Sequence, residues 1–478
     1  MSTTKSRRIF LYVPDGVGVR NYLYADLIST INASATIGMY HSLPAFVTDE
    51  VEKVHGKVVE LHQIPAFTEQ RNERLLRDIA TFARLMRNSA VRNNDRIWKS
   101  LLLLKKKKGF WKIYYPLICQ LAKLAATNIA WIDKIDNLLN KQYAKNPAVP
   151  ALEALLRQTK PDVILCTHQR VPQASTFAEV CKKLDIPFVT AIFSWDNLPK
   201  SRIAPQAHKY IVWSSYMKRE MEWYYPTISQ EDVIITGTPQ FECYAKRALH
   251  QPKEEFLEQW NLPKDKKLVL LSGNDMTSPN DHYYFEDIAD AIMQMPEAER
   301  PHLILRRAPV DASGRFDAFA MKYASILTTI DPLWTNPKSE KDGFASLPTF
   351  ADVALLTNLC LHCDLVVNIG STMGLDFAHF DKPAVYINYP KPYNADWYDI
   401  DFIYGLEHFR TLDGLDAVLW IKSKSDIVRV IQAGLNTPGA VATQRNEWKR
   451  KLTDDIPNAS ENIARLLLQL ATDKKNNQ

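Results

Sequence analysis

With 478 residues, 46% of them hydrophobic and 24% charged, the chain has a globular composition and the length of two domains. A net charge of only +5 and six scattered cysteines (119, 166, 181, 243, 360 and 363) exclude a uniformly basic nucleic-acid binder, a disulfide scaffold and a paired zinc finger. No run reaches the ~20 apolar residues that span a bilayer. The polar, basic start Met1–Arg8 is not a secretory signal, so the expected location is cytoplasmic.

Ile9–Val13 reads as a short buried strand. Pro14-Asp15-Gly16-Val17-Gly18-Val19-Arg20-Asn21 is a glycine-containing turn, with a helix from about Tyr22. Gly16 and Gly18 make a partial G-x-G without its third glycine, so a dinucleotide fingerprint is not met. Ligands of open α/β sheets bind at the carboxyl ends of strands. That places Asp15 and Arg20 for chemistry or acceptor binding, unless Asp15 only caps its turn. Val58–Leu61 reads as a second strand.

From about residue 70 to 146 the pattern changes to helices. Arg71–Lys145 carries 17 Lys+Arg against 5 Asp+Glu, or +12, which leaves 5 − 12 = −7 for the rest of the chain. Four leucines (101–104), four lysines (105–108) and then Phe110, Trp111, Tyr114 and Tyr115 lie in succession. Apolar, basic and aromatic residues together suit an anionic membrane surface, contacted through residues 101–116 on the inner face of the cell membrane. The alternative is a solvated basic face with its leucines inside. No nucleic-acid module accompanies the charge, so no nucleic-acid partner is expected.

The α/β rhythm resumes at Pro161. A strand over 162–167 ends in His168, and a strand over 187–193 ends in Ser194-Trp195-Asp196-Asn197. Parallel strands deliver Asp15, His168 and Asp196 to one sheet edge. Further strands follow at 210–214 and 233–235. Gly237 and Pro239 fix a turn, and 253–267 reads as a charged linker with one short helix.

A second α/β domain opens with a strand over 267–271 and the small-residue loop Ser272-Gly273-Asn274-Asp275. Strands at 302–305 and 326–330 flank Arg306, a bidentate partner suited to diphosphate. Residues 331–350 form a loop that either closes over a nucleotide base or is simply mobile, and a helix lies within 347–361. Leu365–Ile369 is a strand buried on both faces, broken by Gly370-Ser371-Thr372. The helix that follows offers N–H groups and hydroxyls to a phosphate, with Asp376 one turn in, near a sugar hydroxyl. A strand over 384–388 and an aromatic loop over 389–398 complete the domain, and helices finish the chain.

The segment carrying Asp364, Ser371, Thr372, Asp376, Lys382 and Pro383 resembles the donor-binding segment of GT-B glycosyltransferases. The family more often has Glu at position 376. Ser194–Asn197 resembles a loop of GT-B proteins of bacterial surface-polysaccharide assembly, including relatives of the CDP-glycerol transferases, and residues 236–239 resemble the GT-B hinge. Arg306 fits the first position of the family's R-x-H-P, but Ala308 replaces the His. The resemblance implies an α/β fold of GT-B type: two Rossmann-like domains facing an interdomain cleft. Residues 1–250 would be the acceptor domain with a basic helical insertion at about 70–146. Residues 251–455 would be the donor domain, and 456–478 a terminal helix packing back on the first.

The implied activity moves a sugar from a nucleotide-sugar co-substrate to a glycan or lipid-linked acceptor, with no metal and no resident cofactor. Ser272, Gly273, Asn274, Arg306, Gly370, Ser371, Thr372 and Asp376 would bind the donor. Arg20, Trp195 and Asn197 would bind the acceptor. Asp15 is the expected general base, with His168 and Asp196 as rivals. The alternatives are a polyol-phosphate transferase that releases CMP, a non-hydrolysing sugar-nucleotide epimerase, and an inactive scaffold at the membrane.

Overall fold

A computed structural model describes residues 7–103, 105, 108–274, 278–335, 346–391 and 399–476. The chain divides into two units, Met1–Gln240 with Leu452–Gln478, and Phe241–Lys451. Each is built on a parallel sheet between helices, so the Rossmann-like α/β class expected from the sequence is the observed one.

The first sheet contains β1 (Arg8–Val13), β2 (Thr36–His41), β3 (Val59–Gln63), β4 (Val163–Cys166), β5 (Phe188–Ala191), β6 (Lys209–Val212) and β7 (Val233–Ile235). Their order is β3-β2-β1-β4-β5-β6-β7, and every pairing is parallel. The connecting helices are α1 (Leu27–Asn32), α2 (Ala45–His55), α3 (Arg71–Arg92), α4 (Arg96–Leu103), α5 (Trp111–Ala125), α6 (Ile129–Tyr143), α7 (Val149–Thr159), α8 (Pro172–Lys183), α9 (Asn197–Lys200) and α10 (Ser215–Tyr224). Every residue from Ile9 to Val13 is fully buried, as a central parallel strand requires. The core beneath it is aromatic, with Phe10, Tyr12, Tyr40, Phe177 and Phe188 packed together.

Strand β2 lies where no strand was expected, because Gly38 weakens its apolar pattern. The glycine is needed there: a Cβ would come within 2.2 Å of the Phe10 ring. The helix expected from about Tyr22 is instead one wide turn over Val19–Leu23, closed by Tyr24 N–H on Val19 C=O, with α1 starting only at Leu27. Helices α3 to α6 form the basic segment and have their own small core of Phe82, Ala83, Ile118, Ala122 and Ile132. Gln70 and Glu73 close a reciprocal cap at the start of α3. Part of the basic charge is neutralised internally, since buried Arg84 pairs with Asp133 and Asp136 of α6.

The second sheet holds β8 (Leu268–Ser272), β9 (His302–Arg306) and β10 (Leu327–Thr329). After the small antiparallel ribbon of β11 (Trp334–Thr335) and β12 (Leu347–Pro348) come β13 (Leu365–Asn368), β14 (Ala384–Ile387) and β15 (Leu419–Ile421). The order is β10-β9-β8-β13-β14-β15, again all parallel. Only three residues long, β15 lies where helices alone were expected. The helices are α11 (Lys253–Gln259), α12 (Asp281–Met293), α13 (Asp317–Lys322), α14 (Phe350–His362), α15 (Met373–Ala378), α16 (Ile400–Tyr404), α17 (Ile427–Asn436) and α18 (Ala442–Thr453).

The last helix, α19 (Ala459–Asn476), belongs to the first unit, where it lies against α1, β1 and β4. The second unit starts at Phe241 rather than at residue 251. Phe241 and Tyr244 stack near His379, and Tyr244 hydroxyl donates to Asp376 at 2.7 Å. The unit ends at Lys451 rather than at 455. Leu104, Lys106 and Lys107 of the expected membrane segment lie outside the described residues. So do Asp275, most of the loop expected over a base (336–345) and most of the aromatic loop (392–398). Among the described residues no helix is long and apolar enough to cross a membrane.

Candidate functional site

In each sheet the strand order reverses direction once, between β1 and β4 in the first and between β8 and β13 in the second. At such a reversal the two following loops diverge and leave a crevice at the carboxyl edge, where ligands of open α/β sheets bind.

At the first reversal, the loops after β1 and β4 bring Asp15 and His168 together. Asp15 Oδ2 lies 2.6 Å from His168 Nδ1, and Asp15 Oδ1 accepts from Val17 N–H at 3.0 Å. Gly18 permits this approach. A Cβ there would stand 2.3 Å from Thr167 Oγ1, on the residue before His168. Thr167 is itself tied back to Tyr12 C=O through its N–H at 3.1 Å. Arg170 Nε–H points at His168 Nε2 at 3.4 Å, and Phe193 packs edge-on against the imidazole. A guanidinium only donates, so Nε2 is the acceptor and Nδ1 carries the proton given to Asp15. The ordered chain is therefore Arg170, His168, Asp15. The imidazole is 8% exposed and the carboxylate 31%, so the open end is the carboxylate. The two rival bases are one hydrogen-bonded pair. Arg20 lies half-buried on the wide turn that follows this loop.

Asp196 does not join them. Its Oδ1 accepts from Ser194 Oγ at 2.6 Å and Asn197 Nδ2 at 2.9 Å, and its Oδ2 is paired with Lys200. With a cation and two donors on it, the carboxylate organises the turn into α9 and does not fit proton transfer. Trp195 and Asn197 are buried, and Asn197 Oδ1 accepts from Gln169 Nε2 at 3.0 Å. Asn197 thereby ties this loop to the one after β4.

At the second reversal, the loops after β8 and β13 are stitched together by Asn274. Its Nδ2 donates to Ile369 C=O at 2.7 Å and its N–H to Asp281 Oδ2 at 2.6 Å. Arg315 braces this clamp by pairing with Asp281 and Asp311. Burial pushes the Asp281 carboxyl up to about 6, against the downward pull of Arg315 and the Asn274 N–H. Gly273 N–H donates to Arg306 C=O at 2.9 Å, and Ser272 is buried at the end of β8. Gly370 has φ +59°, and a Cβ there would meet the Phe409 ring at 2.5 Å, so both the conformation and the space require glycine. Ser371 N–H is held by Asn368 Oδ1 at 2.9 Å, and Ser371 C=O accepts from Tyr386 hydroxyl at 2.9 Å. Ser371 and Thr372 remain half-exposed.

Two expected donor contacts take other partners. Asp376 is 3% exposed and accepts from Tyr244 hydroxyl, so it faces inward rather than back toward a sugar. Arg306 Nη2 donates to both oxygens of Asp352, at 2.8 and 3.0 Å. Its charge is thus already balanced, not free for a diphosphate. Arg306 Nη1 is buried with no hydrogen-bond partner among the described residues. Asp352, which also accepts from Leu333 N–H and Trp334 Nε1, was not foreseen. Neither was Arg170 behind His168, nor the Asp281–Arg315 brace. Among the described residues no cluster of three His, Cys, Asp or Glu could hold a metal ion.

No family model matches the chain, and no curated protein does. Solved structures do resemble it. UDP-GlcNAc 2-epimerase from Methanocaldococcus jannaschii superposes with a TM-score of 0.53 at 11% identity, covering 97% of this chain and 99% of that one. A glycosyltransferase from Rickettsia africae gives 0.53 at 10%, covering 99% and 100%. S. aureus MnaA, in a co-structure with UDP, gives 0.54 at 11%, covering 98% of each. At such identities the likeness establishes the fold: the chain has the GT-B-type architecture of two Rossmann-like units that these enzymes share.

Proposed function

We propose that the protein is a glycosyltransferase that moves a sugar from a nucleotide-sugar to a glycan or lipid-linked acceptor in surface-polysaccharide or glycolipid assembly. It uses the nucleotide-sugar as co-substrate and calls on no resident cofactor. The observation that carries the reading is the Asp15–His168 pair at the first reversal. The open Asp15 carboxylate takes the proton of the acceptor hydroxyl, and His168 fixes that carboxylate's orientation. The acceptor oxygen bonds to the anomeric carbon as the bond from that carbon to the diphosphate oxygen breaks. The nucleoside diphosphate leaves with the electron pair. Ser371 and Thr372 of the second reversal stabilise its charge through their hydroxyls. Arg20 remains the proposed acceptor contact.

The test is product analysis with a panel of nucleotide-sugars. Release of a nucleoside diphosphate that depends on an added acceptor supports transfer. Release of CMP from a CDP-polyol supports the phosphotransferase to which the Ser194–Asn197 loop is similar. A second reading, epimerisation, is favoured by the superposition on UDP-GlcNAc 2-epimerases. It would invert one sugar carbon with no acceptor needed and no net release of nucleotide. If the protein binds none of these nucleotides, the scaffold alternative stands.

A further inference from the structure

The outer faces of α5 and α6 carry apolar side chains that no described residue of the first unit covers. Ile113 is 75% exposed, Leu117 56% and Leu124 71%, with Leu121 beside them. Spacings of four, four and three place all four on one stripe of α5, on a different face from the Ile118, Ala122 and Ala125 that pack on α3. Phe110 extends the stripe at its start. On α6, Trp131 and Leu138 are exposed two turns apart, with Lys134 over the Trp131 ring at 5.1 Å. Contiguous exposed apolar surface on this scale marks a docking face rather than ordinary solvent surface.

The charge around the stripe names the occupant. Lys112 and Lys123 are both exposed. Eleven residues apart, they share one edge of α5, with the apolar stripe alongside. From Arg96 to Ile132 there are eight Lys+Arg (96, 99, 105–108, 112 and 123) and no Asp or Glu. A second copy of this chain is a poor fit, because a two-fold interface would set these lysines against their own counterparts, while Asp133 and Asp136 of α6 are already paired with Arg84. An anionic lipid surface answers both features. Its phosphates take the lysines, its acyl boundary takes the leucines, and Phe110 and Trp131 sit at headgroup depth.

We infer that α5 and α6 form a face that lies on an anionic membrane, with Ile113, Leu117 and Leu124 as its inserted residues. Contact thereby shifts from the expected segment 101–116 to the outer side of these two helices. The inference rests on the proposed lipid-linked acceptor for its purpose, though not for its geometry.

The experiment is co-sedimentation of the full-length protein with vesicles rich in phosphatidylglycerol and with vesicles of phosphatidylcholine alone. Wild type is expected to bind the anionic vesicles preferentially. Ile113→Ser with Leu117→Ser and Leu124→Ser is expected to lower that partition by roughly tenfold or more at an unchanged thermal midpoint, since all three are exposed. Lys112→Glu with Lys123→Glu is expected to remove the preference for anionic lipid. Equal binding by wild type and the triple variant overturns the inference, as does absence of wild-type binding. So does a dimer in gel filtration that the triple variant dissolves while vesicle binding is absent. Nucleotide-sugar binding in solution is read separately. If it fails while vesicle binding through this face persists, the proposed reaction is lost and this inference stands.

Discussion

The two reversal points share a topology and differ in chemistry. At the first, an acid and an imidazole are hydrogen-bonded to each other and one carboxylate edge is left open. At the second, the two arginines are already balanced, Arg306 by Asp352 and Arg315 by Asp281 and Asp311. The Ser371 and Thr372 hydroxyls stay half-exposed beside them. The first edge is equipped to move a proton. On the proposed reading, the second holds an anion. The fold supplies the crevice in both cases, and the few residues after each strand decide its use.

The largest effect that sharpens this contrast is expected at Asp15. Asp15→Asn should lower turnover by about 10²–10⁴-fold, the usual contribution of a general base. His168→Gln should cost less, about tenfold, because a residue that only orients the base is partly replaced by another donor. If His168→Gln is the more damaging, the imidazole is the base and the order of the pair is reversed. Next comes Asp352→Ala. It strands a buried guanidinium and should destabilise the second unit by about 3–5 kcal/mol, read by urea unfolding. A neutral effect would mean that Arg306 is free to serve a ligand after all. Gly370→Ala forces a side chain into a left-handed position against Phe409 and should cost about 1–3 kcal/mol, with weaker nucleotide binding as a companion readout. Ser371→Ala removes one neutral hydrogen bond and should weaken donor binding by roughly 2–10-fold.

The smallest effect is a pH slope. Burial raises the Asp281 carboxyl to about 6 from its ordinary 3.8. Between those values the folded chain holds a proton that the unfolded chain has released. The contribution of this group to stability is therefore greatest below about pH 4, falls as pH rises toward about 6, and is flat above. Asp281→Asn should flatten that slope in denaturation midpoints measured across the window.

The strands that form the two reversals were legible because β1, β4, β8 and β13 are continuous apolar runs buried on both faces. Strand β2 was not, since Gly38 makes room for a ring 28 residues away in sequence, a demand no local pattern records. The edge positions of Asp15 and His168 followed from strand ends alone. Their pairing did not, because 153 residues separate them and the approach depends on Gly18 meeting Thr167. Position at a strand end also does not say which way a side chain turns. Asp196, Asn197, Asp376 and Arg306 all lie beside a crevice, yet each is occupied by a neighbour that the sequence kept out of view. The exposed stripe on α5 was hidden for a similar reason: its leucines have helical spacing, and only packing on α3 shows which side is buried.

The most direct test separates the two edges in one protein. Nucleotide-sugar binding, by thermal shift, and turnover, by nucleotide release, would be measured together for wild type and Asp15→Asn. The division of labour predicts that Asp15→Asn keeps the wild-type shift while turnover falls at least about 100-fold. A variant that loses the shift, or that turns over normally, would contradict it.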